Sequence, residues 1–331
     1  MTRTVDLRSL HHRNEIAFTD LSALIGAAVW LLVTVTAELG AIERALALAP
    51  LVLVPLGMGM AATPAFRGRA GVLYDAAVVL QPIGAALFLG SLLMPSGGMT
   101  AAILATAWIP ATGLLGLAAL ARIHDRGLWP LSGTITDTDV SALALDAGFL
   151  YANVGAVALV LYHLGITFWF SPVIILLTAV HFHYAGFVLP IVTGLAGRCG
   201  TTASDPLFRL LTAGVLIGPA IIAVGISFSP LVEIVAVSVF SLVVIALGGY
   251  VIVRIVPSRP PTQGLLLTAS AITLPVSMLL ALGFVVATVV GFDPLGLTIP
   301  RMVSLHGNLN AFGFALLGLV GWRLAVPAAE R

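Results

Sequence analysis

Residues 171–198 read SPVIILLTAVHFHYAGFVLPIVTGLAGR, and this stretch decides the fold class. An α-helix needs ~20 mostly apolar residues to cross a bilayer. Residues 171–196 supply them without one lysine, arginine, aspartate or glutamate, and Arg198 follows directly. Two histidines, His181 and His183, stand one residue apart in the middle of the run. At ~1.5 Å per residue they lie ~15–18 Å along the helix, at the bilayer midplane. An imidazole at that depth is too short to snorkel to the interface. An ionisable side chain there costs ~2.5–3.5 kcal/mol on insertion scales and marks function by default.

The rest of the chain has the same character. Of its 331 residues 60% are hydrophobic and 9% are charged, against ~25% charged in soluble domains, and mean hydropathy is +1.11. The expected class is an all-α, polytopic transmembrane helix bundle. Ten spans are expected, at about 21–39, 45–62, 71–93, 100–121, 142–163, 171–196, 207–228, 231–255, 264–290 and 302–324. They are separated by turn-rich stretches such as PAFRGRAG, GRCGTTASDP and GFDPLG. Residues 1–20 read as a cytoplasmic tail without the apolar core of a secretory signal, and 21–326 as a single transmembrane domain. Counting along the spans, thirteen of the fifteen arginines fall on the side of the N-terminus, and only Arg44 and Arg301 on the other. By the positive-inside rule both termini are cytoplasmic and the protein is a multi-pass cell-membrane protein.

Composition also excludes chemistry. The net charge of +1 gives no case for a nucleic-acid partner. The single cysteine, Cys199, allows no internal disulfide and no cysteine-based metal site. The absence of lysine rules out Schiff-base catalysis.

The polar residues within the spans are therefore the candidates. His306, Asn308 and Asn310 lie in the outer half of the last span. Glu38 closes the first span on the outside, Glu43 opens the second, and Asp75 and Asp146 sit one turn in from the inner side. Gln81, Trp108, Tyr151 and Tyr184 lie nearer the middle. Residues two apart on a helix diverge by ~200°, so His181 and His183 address different neighbours and do not chelate one metal from a regular helix. His306 and Asn310, four apart, share a face. AVHFHYAGFVLPIVTGLAGR and HGNLNAFGFALLGLVGWR also align by their GF pairs, setting Gly186 on Gly313, Phe187 on Phe314, His181 on Asn308 and His183 on Asn310. This echo predicts two similar helices offering polar groups at one depth, with the two glycines allowing close approach.

Several stretches carry a family resemblance: LAPLVLVPLG (48–57), LQP (80–82), LLTAVHFHYAGFVLP (176–190) and HGNLNAFGFALLGLVGW (306–322). With these the chain resembles the YndJ-like bacterial integral membrane proteins, which implies a fold rather than a reaction. It is also similar to the actinobacterial integral-membrane terpene cyclases, without a motif that matches residue by residue. That second likeness implies chemistry on prenylated substrates in secondary metabolism. VHFHY (180–184) looks like the haem-bearing helix of haem–copper oxidases. The His–His pair and His-x-x-x-Tyr motif of that family are missing here.

The first functional expectation is an isoprenoid cyclase started by protonation, working on a lipophilic small molecule drawn from the membrane lipid and coupled to a prenyltransferase. Glu38, Glu43, His181 and His183 are its expected catalytic groups, with Asp75 and Asp146 as alternative acids. Tyr184, Tyr151, Trp108, Gln81, His306, Asn308 and Asn310 are its expected substrate contacts, and it uses no cofactor and no metal. One alternative is a haem- or metal-binding redox protein using His181, His183 and His306. The other is a small-molecule or proton-linked transporter.

Overall fold

The computed structural model describes residues 17–94, 98–128, 136–200 and 202–327. Nearly all of the expected N-terminal tail lies outside the described residues. Among the described residues ten helices are long and apolar enough to cross a membrane: α1 (Phe18–Thr36), α2 (Ala41–Ala61), α3 (Gly68–Leu92), α4 (Met99–Asp125), α5 (Asp137–His163), α6 (Pro172–Gly197), α7 (Pro206–Phe228), α8 (Pro230–Ser258), α9 (Pro261–Val290) and α10 (Ile299–Leu324). Their ends fall within five residues of the expected ones. Ten crossings return Leu324 to the side where Phe18 starts, called the inner side below.

Helices that follow one another in sequence pack side by side from α3 to α6 and again from α7 to α10. α2 and α6 are the most buried spans. α2 touches α1, α3, α6 and α10, so it is the post around which both series close. α1 lies against α2 so closely that a Cβ at Gly26 would sit 1.9 Å from the Leu51 carbonyl oxygen. Large apolar side chains such as Val35, Leu210, Phe228 and Leu265 point outward. This is the distribution a bilayer requires.

Four of the helices widen into π-turns, five in all among the described residues, and proline explains three. In α2 the π-turn at Ala49–Leu53 precedes Pro55, in α6 the one at Tyr184–Val188 precedes Pro190, and in α8 the one at Val251–Ile255 precedes Pro257. Proline has no N–H, so a carbonyl one turn earlier loses its donor. In α2 the Val54 N–H bonds to Ala49 O, so in that register Pro50 O faces residue 55, a proline. Gln81 Nε2 donates to Pro50 O at 2.8 Å, and Ser22 Oγ donates to Gln81 Oε1 at 2.6 Å. One buried glutamine thus repairs α2 and ties α1, α2 and α3 together.

α10 has π-turns at Val303–Gly307 and Leu309–Leu316 with no proline in either or just after it. Here side chains bind backbone carbonyls instead. Gln263, Ser270 and Ser277 of α9 are spaced by seven, about two helical turns, and present one polar edge to α10. Gln263 Nε2 donates to Gly321 O at 2.9 Å, and Ser270 Oγ donates to Phe314 O at 2.8 Å. Ser277 reaches His306 and Asn310.

Ion pairs close the inner end. Asp146, fully buried, lies between Arg122 Nε at 3.0 Å and Arg126 Nη2 at 2.5 Å. Arg198, at the end of α6, donates to Met60 O, Ala61 O and Thr63 O at 2.8–3.1 Å and so caps the C-terminus of α2. Burial, with Arg122 close by, lowers its pKa to about 10, which leaves it charged at neutral pH. Arg323 pairs with Asp20 and fastens α10 to α1.

Candidate functional site: two imidazoles in the cleft between α6 and α10

The two histidines of HFH do diverge. His183 turns toward α4 and is fully buried. Its Nδ1 donates to Ala179 O at 2.7 Å, and its Nε2 accepts from Trp108 Nε1 at 3.1 Å. A carbonyl only accepts, so Nδ1 carries the proton and Nε2 the lone pair. Phe88 meets the ring edge-on, and Trp108 stacks with it at 27°. α5 makes room with a glycine: a Cβ at Gly155 would lie 2.5 Å from His183 Nδ1. Both ring nitrogens are occupied and no space adjoins them. His183 is a neutral fastening between α4 and α6.

His181 is fixed in the same tautomer, with Nδ1 donating to Leu177 O at 2.7 Å. His181 is exposed on α6 and opens onto the groove between α6 and α10. Its Nε2 lone pair has no hydrogen-bond partner among the described residues. Across the cleft stands His306 of α10, with ring centroids 6.4 Å apart and planes 30° apart.

His306 is held by α9. Its Nδ1 lies 2.9 Å from Ser277 O and 3.0 Å from Ser277 Oγ, so this nitrogen too carries the proton. Its Nε2 is 3.2 Å from Asn310 Nδ2. That amide nitrogen lies closer to Ser277 Oγ, at 2.5 Å, and to His306 O, at 2.9 Å. Ser277 had no mark in the sequence beyond its seven-residue spacing from Ser270 and Gln263.

Most of the other expected contacts are bonded to the scaffold. Trp108 serves His183, and Gln81 serves Pro50 O. Tyr184 Oη donates to Ala45 O of α2 at 2.8 Å, and Tyr151 Oη to Leu216 O of α7 at 2.6 Å. Asn308 is exposed and bonds to Ser304 O in its own helix. Glu38 is exposed in the turn between α1 and α2. Glu43 is half-buried and folds back over Gly40. Asp75 is exposed, and Asp146 is held between two arginines. None of these four carboxylates bonds to the histidines among the described residues.

The echo between HFHYAGF and NLNAFGF has a structural counterpart. Both segments run into π-turns, at 184–188 and 309–316, and these pack on each other. The paired glycines serve other neighbours: Gly186 faces Tyr151 of α5 and Gly313 faces Thr273 of α9. π-turns concentrate at functional sites, and the His181–His306 cleft lies on the outer side of this pair. A cavity of about 20 Å³, lined by Val192, Leu267, Phe314 and Trp322 among others, lies toward the inner side. It holds one water at most.

These features define a membrane protein with ten candidate spans and a neighbouring pair of imidazoles on two of them. The YndJ-like protein family matches residues 44–314, and the chain belongs to that family. Over 157 residues, 47% of the chain, it is 36% identical to the uncharacterized membrane protein YndJ of Bacillus subtilis (strain 168). The aligned part covers only 28% of that relative's length. No solved structure matches.

Proposed function

We propose that this protein holds a metal centre inside the bilayer, at His181 and His306, and presents it to lipophilic small molecules arriving from the membrane. One observation carries the reading. Two imidazoles from different helices lie with ring centroids 6.4 Å apart, each with Nδ1 tied to a backbone carbonyl. A carbonyl or carboxylate on the far nitrogen is the usual support of a metal-bound histidine, because it fixes the tautomer and raises the basicity of the ligating nitrogen. His181 already offers an open lone pair. His306 yields its own once the longest of the Asn310 contacts is released.

Isoprenoid cyclisation asks for something different: a strong acid beside a substrate-sized space. Glu38 and Asp75 are exposed, Asp146 is neutralised by two arginines, and Glu43 folds over its own helix start. The imidazole pair therefore supports the metal-binding alternative better than any carboxylate supports proton-initiated cyclisation. The exposed side of His181 keeps a lipophilic partner in both readings.

The test is elemental analysis and an absorbance scan of protein purified from membranes without chelators, followed by reloading in lipid nanodiscs. The expected result is about one metal equivalent per chain, lost in His181→Ala. Protein that carries no metal or haem as purified and takes up none on reloading refutes the reading.

A further inference from the structure

Taking the imidazole pair as a metal centre, we infer that its ion is a bare copper(I) bound between His181 Nε2 and His306 Nε2. Three features select it. The first is spacing. With both Nε2 atoms turned toward the ion, two metal–nitrogen bonds of ~2.1 Å and the two centre-to-nitrogen distances match the 6.4 Å between the ring centroids. A haem needs an open slot as wide as its macrocycle. Here the π-turns at 184–188 and 309–316 pack on each other directly below the pair.

The second is charge. Among the described residues no group of three or more histidine, cysteine or acidic side chains gathers to hold a metal. The ligands are two neutral imidazoles, so a divalent ion leaves two uncompensated charges at membrane depth and a monovalent ion leaves one. Uncompensated charge there costs several kcal/mol. The third is coordination. Zinc asks for four ligands, and two side chains do not supply them. Copper(I) is content with two nitrogens in line, and softer ligands favour it further. Met302 stands four residues before His306, and so by helical register on the same face of α10. Asn310 then keeps its bonds to Ser277 Oγ and His306 O and releases His306 Nε2.

Copper(I) titration of nanodisc-embedded protein under reducing, anaerobic conditions, against a chromophoric copper(I) chelator, tests the inference. One equivalent per chain is expected, with X-ray absorption counting two nitrogen neighbours and no scattering from a tetrapyrrole. His181→Ala and His306→Ala should each weaken binding at least tenfold, and His183→Phe should leave the stoichiometry unchanged. The ligand count comes from wild-type protein, so it stands even if a variant does not fold. Zinc or haem on the same two histidines overturns copper(I) and leaves the metal centre intact. Copper(I) bound equally well by the His181→Ala/His306→Ala double variant overturns the site. Failure to bind copper(I), zinc or haem overturns the metal centre as well.

Discussion

Replacing Trp108 with phenylalanine tests the division of labour between the two histidines of HFH. Among the described residues the indole N–H is the one donor that reaches His183 Nε2, at 3.1 Å, and the imidazole is fully buried. Phenylalanine keeps an aromatic ring against Phe88 but removes that donor. A buried acceptor left without a partner costs ~1–3 kcal/mol. The smaller ring also leaves a gap in a site closed by Phe88 and by Gly155 of α5, worth ~1–2 kcal/mol. Trp108→Phe should therefore cost ~2–5 kcal/mol. Replacing both partners with apolar rings removes the orphaned group as well. The Trp108→Phe/His183→Phe double variant should then be more stable than the sum of the single losses by ~1–2 kcal/mol. The assay is unfolding by titrated SDS in mixed micelles, followed by far-UV circular dichroism. Metal content is measured on the same samples and should not change. Single losses that add to within ~0.5 kcal/mol, or a Trp108→Phe protein that is folded but has lost its metal, would refute the assignment of His183 as a fastening and His181 as the open ligand.

Other sites give independent tests. Asp146→Asn leaves the half-buried Arg122 and Arg126 without their shared counter-charge, with Asp139 still 3.3 Å from Arg126 Nε, and should cost ~1–3 kcal/mol, read as a fall in folded yield and in melting temperature. Gln81→Leu orphans Pro50 O and should cost ~1–3 kcal/mol in the same SDS titration. Pro55→Ala in that background returns an N–H to α2, so stability should recover in part. In a Cys199→Ser background, Ser171→Cys should react with a membrane-impermeant maleimide in intact cells. Ala65→Cys should react only after permeabilisation. The reverse pattern overturns the orientation drawn from the arginines.

Much of the fold was legible in the chain because bilayer thickness is a simple ruler. Each span needs one long apolar run, and Phe18–Thr36 through Ile299–Leu324 supply ten. The ~200° divergence of His181 and His183 was legible as well, since it depends only on the pitch of their own helix. Three of the π-turns had a local mark, a proline one or two residues further on. Those in α10 had none, because the carbonyls there are bound by side chains, Phe314 O by Ser270 of α9 and Ser304 O and His306 O by Asn308 and Asn310 of α10 itself.

The site was legible as a set of residues but not as an arrangement. A polar side chain at membrane depth must find a partner, and the partner is distant in sequence. Trp108 and His183 are 75 residues apart, and Ser277 and His306 are 29 apart. Gln81 and Asn310 look equally fit to meet a ligand in the sequence, yet one repairs a backbone and the other stands beside His306. The sequence by itself determined the membrane class, the ten crossings and the depth of each polar group, because hydropathy and helical pitch are properties of single segments. Only the tertiary structure decided that Trp108 occupies His183 while His181 stays open toward His306. Which lone pair remains free depends on what the neighbouring helices bring to it.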